Sequence, residues 1–158
     1  METYRIGILM SEKKAKVVFT NGCFDILHVG HLRLLNFAKS LGDYLVVGLN
    51  SDESVNRLKG LGRPVNSFDE RREFLLELLC VDEVVKFPMA GKPDNPLEIL
   101  QKIKPDIILK GGDYTQDEVI GSDFVNSYGG KTIIYPFVAG KSTSVLINRI
   151  TNNNGFTI

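Results

Sequence analysis

Apolar and polar positions follow two rhythms along the chain. Short, nearly unbroken apolar runs recur at 16–20 (KVVFT), 44–50 (YLVVGLN), 83–87 (EVVKF), 106–110 (DIILK) and 131–135 (KTIIY). Runs of this length without alternation predict strands buried on both faces. Longer segments between them place apolar residues three and four apart. In 31–42 (HLRLLNFAKSLG), Leu32, Leu35 and Ala38 share one face and Gly42 ends it, which predicts a helix. Helices are also predicted at 51–58, opening on Ser51 as N-cap, and at 67–79, opening on a Ser67–Glu70 capping box. Segment 95–103 has Asn95 as N-cap with Pro96 at the first helical position. A second capping pair, Thr115 with Glu118, opens 115–121, and 142–150 is the last helix. Between 59 and 66 (KGLGRPVN), two glycines and a proline predict a loop.

Five apolar strands alternating with helices predict a parallel sheet covered on both faces, with right-handed crossovers. The expected fold is a doubly wound, Rossmann-like α/β single domain over 16–158, with residues 1–15 as a lead-in and Met10 as an alternative start. No repeat or low-complexity tract interrupts it.

The 158 residues carry 19 Lys+Arg and 19 Asp+Glu, a net charge of zero. A nucleic-acid or anionic-membrane binder would show a basic excess, so any anion must be met by a local cluster. Two cysteines, Cys23 and Cys80, are too few for a disulfide framework and point to a reducing compartment. The opening METYRIGILM lacks the pattern of a signal peptide, and no apolar run is long enough to span a bilayer. The expectation is a soluble cytoplasmic protein.

Doubly wound sheets bind ligands beyond the carboxyl ends of their strands, where the strand order reverses. After the first strand comes NGCFDILHVGH, which holds both histidines of the chain, His28 and His31, with Gly30 between them. At a helix start, two imidazoles and free N–H groups suit a phosphate, and Gly30 lets it approach the backbone. The plainer reading is a pair of surface histidines. A zinc site needs three or four ligands, and here there is no third histidine and no CxxC, so no metal site is expected. After the fourth strand, LKGGDY is an ordinary glycine turn or a nucleotide contact, with Lys110 reaching an anion and Asp113 a ribose. After the fifth, GKSTS is not a P-loop, because position 135, where the first glycine would stand, is tyrosine. Ser142, Thr143 and Ser144 either simply cap the last helix or also hold phosphate beside Lys141. Arg57, Lys59 and Arg63 form a solvated loop or one that closes over phosphates. Of Arg71 and Arg72, one is expected to face solvent and the other to reach the site.

NGCFDILHVGH, with its HxGH core, resembles the signature of the cytidylyltransferase-like nucleotidyltransferases. The resemblance runs on through the 48–75 region, DIILKGGDY, GSDFV and GKSTS, covering residues 16–150. Within that family these blocks look most like the adenylyltransferase branch that makes ADP-heptose from heptose 1-phosphate. The resemblance implies ATP and a sugar 1-phosphate as substrates, Mg²⁺ bound through the nucleotide phosphates, and a homodimer. It implies His28, His31 and Lys59 as catalytic groups, and Asp25 and Arg63 as acceptor-side contacts. It assigns the nucleotide to Thr20, Asn21, Gly22, Cys23 and Phe24, to Gly30 and His31, to Lys110, Gly111 and Asp113, and to Lys141, Ser142 and Thr143. Glycerol 3-phosphate with CTP, or FMN with ATP, would use the same chemistry, and a nucleotide-binding module without turnover is a different class. Members of this branch are often joined to a sugar kinase, for which 158 residues leave no room, so a separate kinase is expected. Ala139 and Lys141 depart from the family's usual acidic residue before Gly140 and apolar residue or cysteine after it.

Overall fold

The computed structural model describes residues 14–88, 94–136 and 142–152. Its elements are β1 (Val17–Gly22), α1 (Val29–Ser40), β2 (Tyr44–Asn50), α2 (Asp52–Lys59), α3 (Phe68–Leu76), β3 (Glu83–Phe87), α4 (Leu97–Ile103), β4 (Ile107–Gly111), α5 (Ser122–Ser127), β5 (Lys131–Tyr135) and α6 (Thr143–Asn152). The five strands form one sheet in the order β3-β2-β1-β4-β5, every pairing parallel. The expected α/β fold is therefore present over the described part of 16–158.

The pleat sorts each strand into two cores. Val18, Leu45, Val47, Ile107 and Leu109 face one cluster with Leu35 and Ala38 of α1 and Leu75 of α3. Phe19, Val46, Val85 and Ile108 face the other, with Leu100 of α4 and Val125 of α5. Helices thus cover both faces, which is why the strands lack alternation.

The chain order reverses between β1 and β4. There the pairing is short: Val18 with Ile107 and Phe19 with Ile108. By contrast β1 pairs with β2 from Val17–Tyr44 to Gly22–Leu49. With their ladder ending at Phe19, β1 and β4 part toward their carboxyl ends, and a crevice opens between them.

Four local expectations shift. Helix α1 starts two residues earlier than expected, at Val29, which puts HVGH at its cap and first turn. The Thr115–Glu118 capping box forms, but it closes only a 3₁₀ turn, Gln116–Glu118. Val119, with an extended backbone (φ −79, ψ 113), ends that turn, and the helix is α5, which opens after Gly121 at φ +93. Helix α3 stops at Leu76, short of the expected residue 79, and leaves Leu79 fully exposed. Pro96, expected as the first helical residue, is instead the N-cap of α4, and Asn95, expected as the cap, lies one residue outside it, its Oδ1 accepting from Leu97 N at 3.0 Å.

Candidate active site

A cleft of about 570 Å³ lies at the reversal of strand order. Its walls come from the segment after β1, the first turn of α1, the loop after α2, the end of β4 and the start of α6.

His28 is the N-cap of α1, with an extended backbone (φ −143, ψ 170), and its Nδ1 accepts from Gly30 N at 3.1 Å. That bond fixes the neutral tautomer, so the proton sits on Nε2 and makes that atom a donor. The His31 ring stacks on it at 3.8 Å between centroids and 23° between planes, with Phe24 behind at 5.1 Å. Burial, and then the neighbouring His28, push the His31 pKa from 6.5 to about 4, and burial also lowers that of His28. Both rings are therefore mostly neutral near pH 7. His31 Nδ1 is buried with no hydrogen-bond partner among the described residues. The first turn of α1 has no acidic side chain, so its free N–H groups and dipole remain open to an anion.

Opposite this helix start, Lys110 lies near the end of β4. Its Nζ donates to Asn21 Oδ1 at 3.2 Å and stands 5.9 Å from the Tyr114 ring centroid. Burial lowers its pKa. Gly111 brings the backbone against α1, where a Cβ would meet Leu34 Cδ1 at 2.5 Å. Lys59, the last residue of α2, reaches the cleft from the third side.

Asp25 and Arg63 meet each other. Arg63 Nε donates to Asp25 Oδ2 at 2.5 Å, and Val65 N and Asn66 N donate to Oδ1 at 2.8 and 3.0 Å. Arg71 is the inward arginine of the expected pair, 0% exposed, while Arg72 faces solvent. Its guanidinium donates to Asn66 O at 3.0 Å, Cys23 O at 2.6 Å, Asn50 O at 2.9 Å and Asp52 Oδ1 at 2.6 Å. One side chain thus joins the ends of β1 and β2, the start of α2 and the start of α3. The sequence marks the pair but not which member turns inward, since Arg71 and Arg72 both lie three or four residues from Phe68 and Leu75. Asn50 and Asn66 carry no such mark, because their roles depend on where Arg71 reaches.

At α6, Ser142 Oγ accepts from Val145 N at 3.2 Å, and Thr143 Oγ1 donates to Ile26 O at 3.2 Å. The capping reading therefore holds, and both residues also line the cleft. So do Asn21, Gly22, Cys23 and Phe24, the last at φ +44, and Gly30. Thr20 lines the cleft with a buried Oγ1 that has no partner among the described residues. Burial dominates at Cys23 and raises its pKa despite nearby Lys59, Arg71 and Arg63, so its thiol stays protonated. Asp113 stands apart: after Gly112, at φ +133, it is exposed and outside the cleft wall. Ala139 and Lys141 lie outside the described residues.

Among the described residues, no three His, Cys, Asp or Glu side chains converge as metal ligands. The cleft offers Lys59, Arg63, Lys110 and N–H donors, beside the carboxylates of Asp25, Asp94 and Glu118. The basic and N–H donors among them suit a phosphate ester. None of the described helices is long and apolar enough to cross a membrane.

A family model described as cytidylyltransferase-like matches residues 19–139. The bifunctional protein HldE of Syntrophotalea carbinolica is 49% identical over 150 residues, covering 94% of this chain and 30% of that protein. The bifunctional protein HldE of Trichlorobacter lovleyi is 51% identical over 138 residues, covering 87% of this chain and 27% of that one. The chain therefore spans about three-tenths of the length of these curated relatives. Among solved structures, the lipopolysaccharide core biosynthesis protein from Thermoplasma volcanium is 28% identical with a TM-score of 0.63, covering 79% of this chain and 98% of that one. Pantothenate synthetase from Thermus thermophilus shares the fold alone, at 20% identity and a TM-score of 0.53, covering 78% of this chain and 56% of that one.

Proposed function

The chain belongs to the cytidylyltransferase-like family of nucleotidyltransferases, and on that premise we propose that it transfers AMP from ATP to a heptose 1-phosphate. The products are ADP-heptose and pyrophosphate. The observation that carries this reading is the stacked His28–His31 pair at the start of α1, facing Lys110 across the crevice. The choice of sugar is supported by the blocks resembling the ADP-heptose branch, by relatives near half identity named HldE, and by a neighbour named for lipopolysaccharide core biosynthesis.

The acceptor phosphate is already an anion and needs no base. Its oxygen attacks the α-phosphorus in line, a new P–O bond forms, and the bond to the β-phosphate oxygen breaks with its electron pair leaving on pyrophosphate. The tautomer of His28 fits this scheme. With Nδ1 occupied by Gly30 N–H, its Nε2–H donates to phosphate oxygen and does not abstract a proton. His31 adds a second donor as charge moves onto the leaving group. Lys110 and the start of α6 hold the nucleotide phosphates, while Lys59 and Arg63 hold the acceptor phosphate beside them. Mg²⁺ bound to the triphosphate would supply further charge neutralisation. Catalysis is thus positioning plus preorganised charge.

Pyrophosphate release tests this directly. Purified protein with Mg²⁺ is given ATP, CTP or GTP, each crossed with both anomers of heptose 1-phosphate, glycerol 3-phosphate and FMN. Release with ATP and one heptose 1-phosphate is expected. Release with another pair replaces the substrate, and no release with any pair, by folded protein that binds nucleotide, favours a binding module.

A further inference from the structure

Asp25 sits between the catalytic histidines and the basic loop, yet its side chain is 1% exposed. Every bond its carboxylate makes is to a protein donor: Arg63 Nε on Oδ2, and Val65 N and Asn66 N on Oδ1. Its own carbonyl accepts from Asn66 Nδ2 at 2.8 Å. Asp25 borders the cleft, but its carboxylate is spent mainly on this loop and not on open space for an acceptor or a metal ion. We propose that Asp25 is a positioning residue, which pins segment 63–66 to the end of β1 and so holds Arg63 and Lys59 toward the cleft.

The loop needs such a pin. Its tip is Gly60-Leu61-Gly62, with the glycines at φ +91 and +80, open space around both, and Leu61 96% exposed. No packing locates this tip. At one end, Asn56 Nδ2 donates weakly to Gly60 O at 3.4 Å and Arg63 O at 3.3 Å. At the other end stands Asp25, backed by Arg71 through Asn66 O. Because Asp25 engages Nε, the terminal amines of Arg63 are left for a phosphate, and a guanidinium is rigid enough for that orientation to matter.

The inference rests on the nucleotidyltransferase reading for its catalytic consequence, but not for its structural one, and the test separates them. In pyrophosphate-release assays, Arg63→Ala is expected to lower kcat/KM by about a hundredfold and Asp25→Asn by about thirtyfold. The double variant should be no more than about twofold worse than Arg63→Ala, because residues acting through one another are not additive. The Mg²⁺ concentration for half-maximal turnover should not move in Asp25→Asn. Multiplying effects, or a shifted Mg²⁺ requirement, would overturn the proposal in favour of direct contact. Independently of turnover, trypsin should cut after Lys59 about tenfold faster in Asp25→Asn than in wild type, as a loop that opens locally is cleaved in proportion to its open population. An unchanged rate would refute the pin. If wild type releases no pyrophosphate, the functional reading fails and the tryptic comparison judges Asp25 alone. Should Asp25→Asn not fold, Arg63→Ala carries the same tryptic test.

Discussion

The two sides of the crevice are built differently. On the β1–β2 side the strands pair along their whole carboxyl halves, and Arg71, Asn66 and Asp25 knit three loops together with buried and half-buried hydrogen bonds. On the β4 side the pairing with β1 covers two positions, and Asp113, Tyr114, Glu118 and Ile120 stand exposed. One side is assembled before any ligand arrives, while the other offers an open wall. Rigid groups aimed at the reacting phosphates gain most from preorganisation, whereas a wall that only binds can be looser. Substitutions on the knit side should therefore damage fold and turnover together, and those on the open side should change binding alone.

Arg71→Met breaks this contrast most severely. It strands the buried carbonyl of Asn50 and the half-buried carbonyls of Cys23 and Asn66, each of which loses its arginine donor. A loss of about 3 kcal/mol or more in urea unfolding is expected. Arg71→Lys should recover little, since an ammonium cannot span the same partners. A loss under about 1 kcal/mol would show that the knit side is not held by this residue.

Acid gives the next effect. His31 takes up a proton at about 6.5 when unfolded and at about 4 when folded. Between these values the unfolded state binds more protons, so stability is highest above the upper value and falls as pH drops, levelling below the lower one. From pH 7 to 5 this costs wild type about 2 kcal/mol relative to His31→Gln, compared by urea unfolding at each pH. Equal acid sensitivity in the two proteins would mean that the imidazole is not held neutral by burial.

Tyr114→Ala, on the open side, should do least. Its ring is 5.9 Å from Lys110 Nζ and 46% exposed. A nucleotide KM raised about threefold with kcat unchanged is expected, the size of one exposed cation–π contact. A fall in kcat would place Tyr114 in the machinery and erase the contrast.

Much of this was legible in the sequence. All five strands follow from unbroken apolar runs, because burial on both faces leaves that mark. The crevice follows from two unusual strand ends, NGCFDILHVGH and KGGDY, meeting where the order reverses. Thr115–Glu118 misled as a helix start because a capping box reports only a first turn, and the extended backbone of Val119 ends this one at once. Asp25 shows the same limit at the site: its position beside the histidines is plain in the chain, but its engagement by Arg63, Val65 and Asn66 is a tertiary fact. Arg71 and Arg72 both lie three or four residues from Phe68 and Leu75 in α3, so helical spacing does not separate them; that Arg71 is buried and Arg72 exposed is set by the loops packed against α3, another tertiary fact.

The most direct test of the account is the turnover of His31→Ala and His28→Ala, measured as pyrophosphate release with ATP and heptose 1-phosphate, with melting temperatures recorded alongside. The account predicts that each variant melts within a few degrees of wild type and that His31→Ala loses about a hundredfold or more in kcat, the scale of one lost transition-state donor. Turnover near wild type in a folded His31→Ala protein would contradict it.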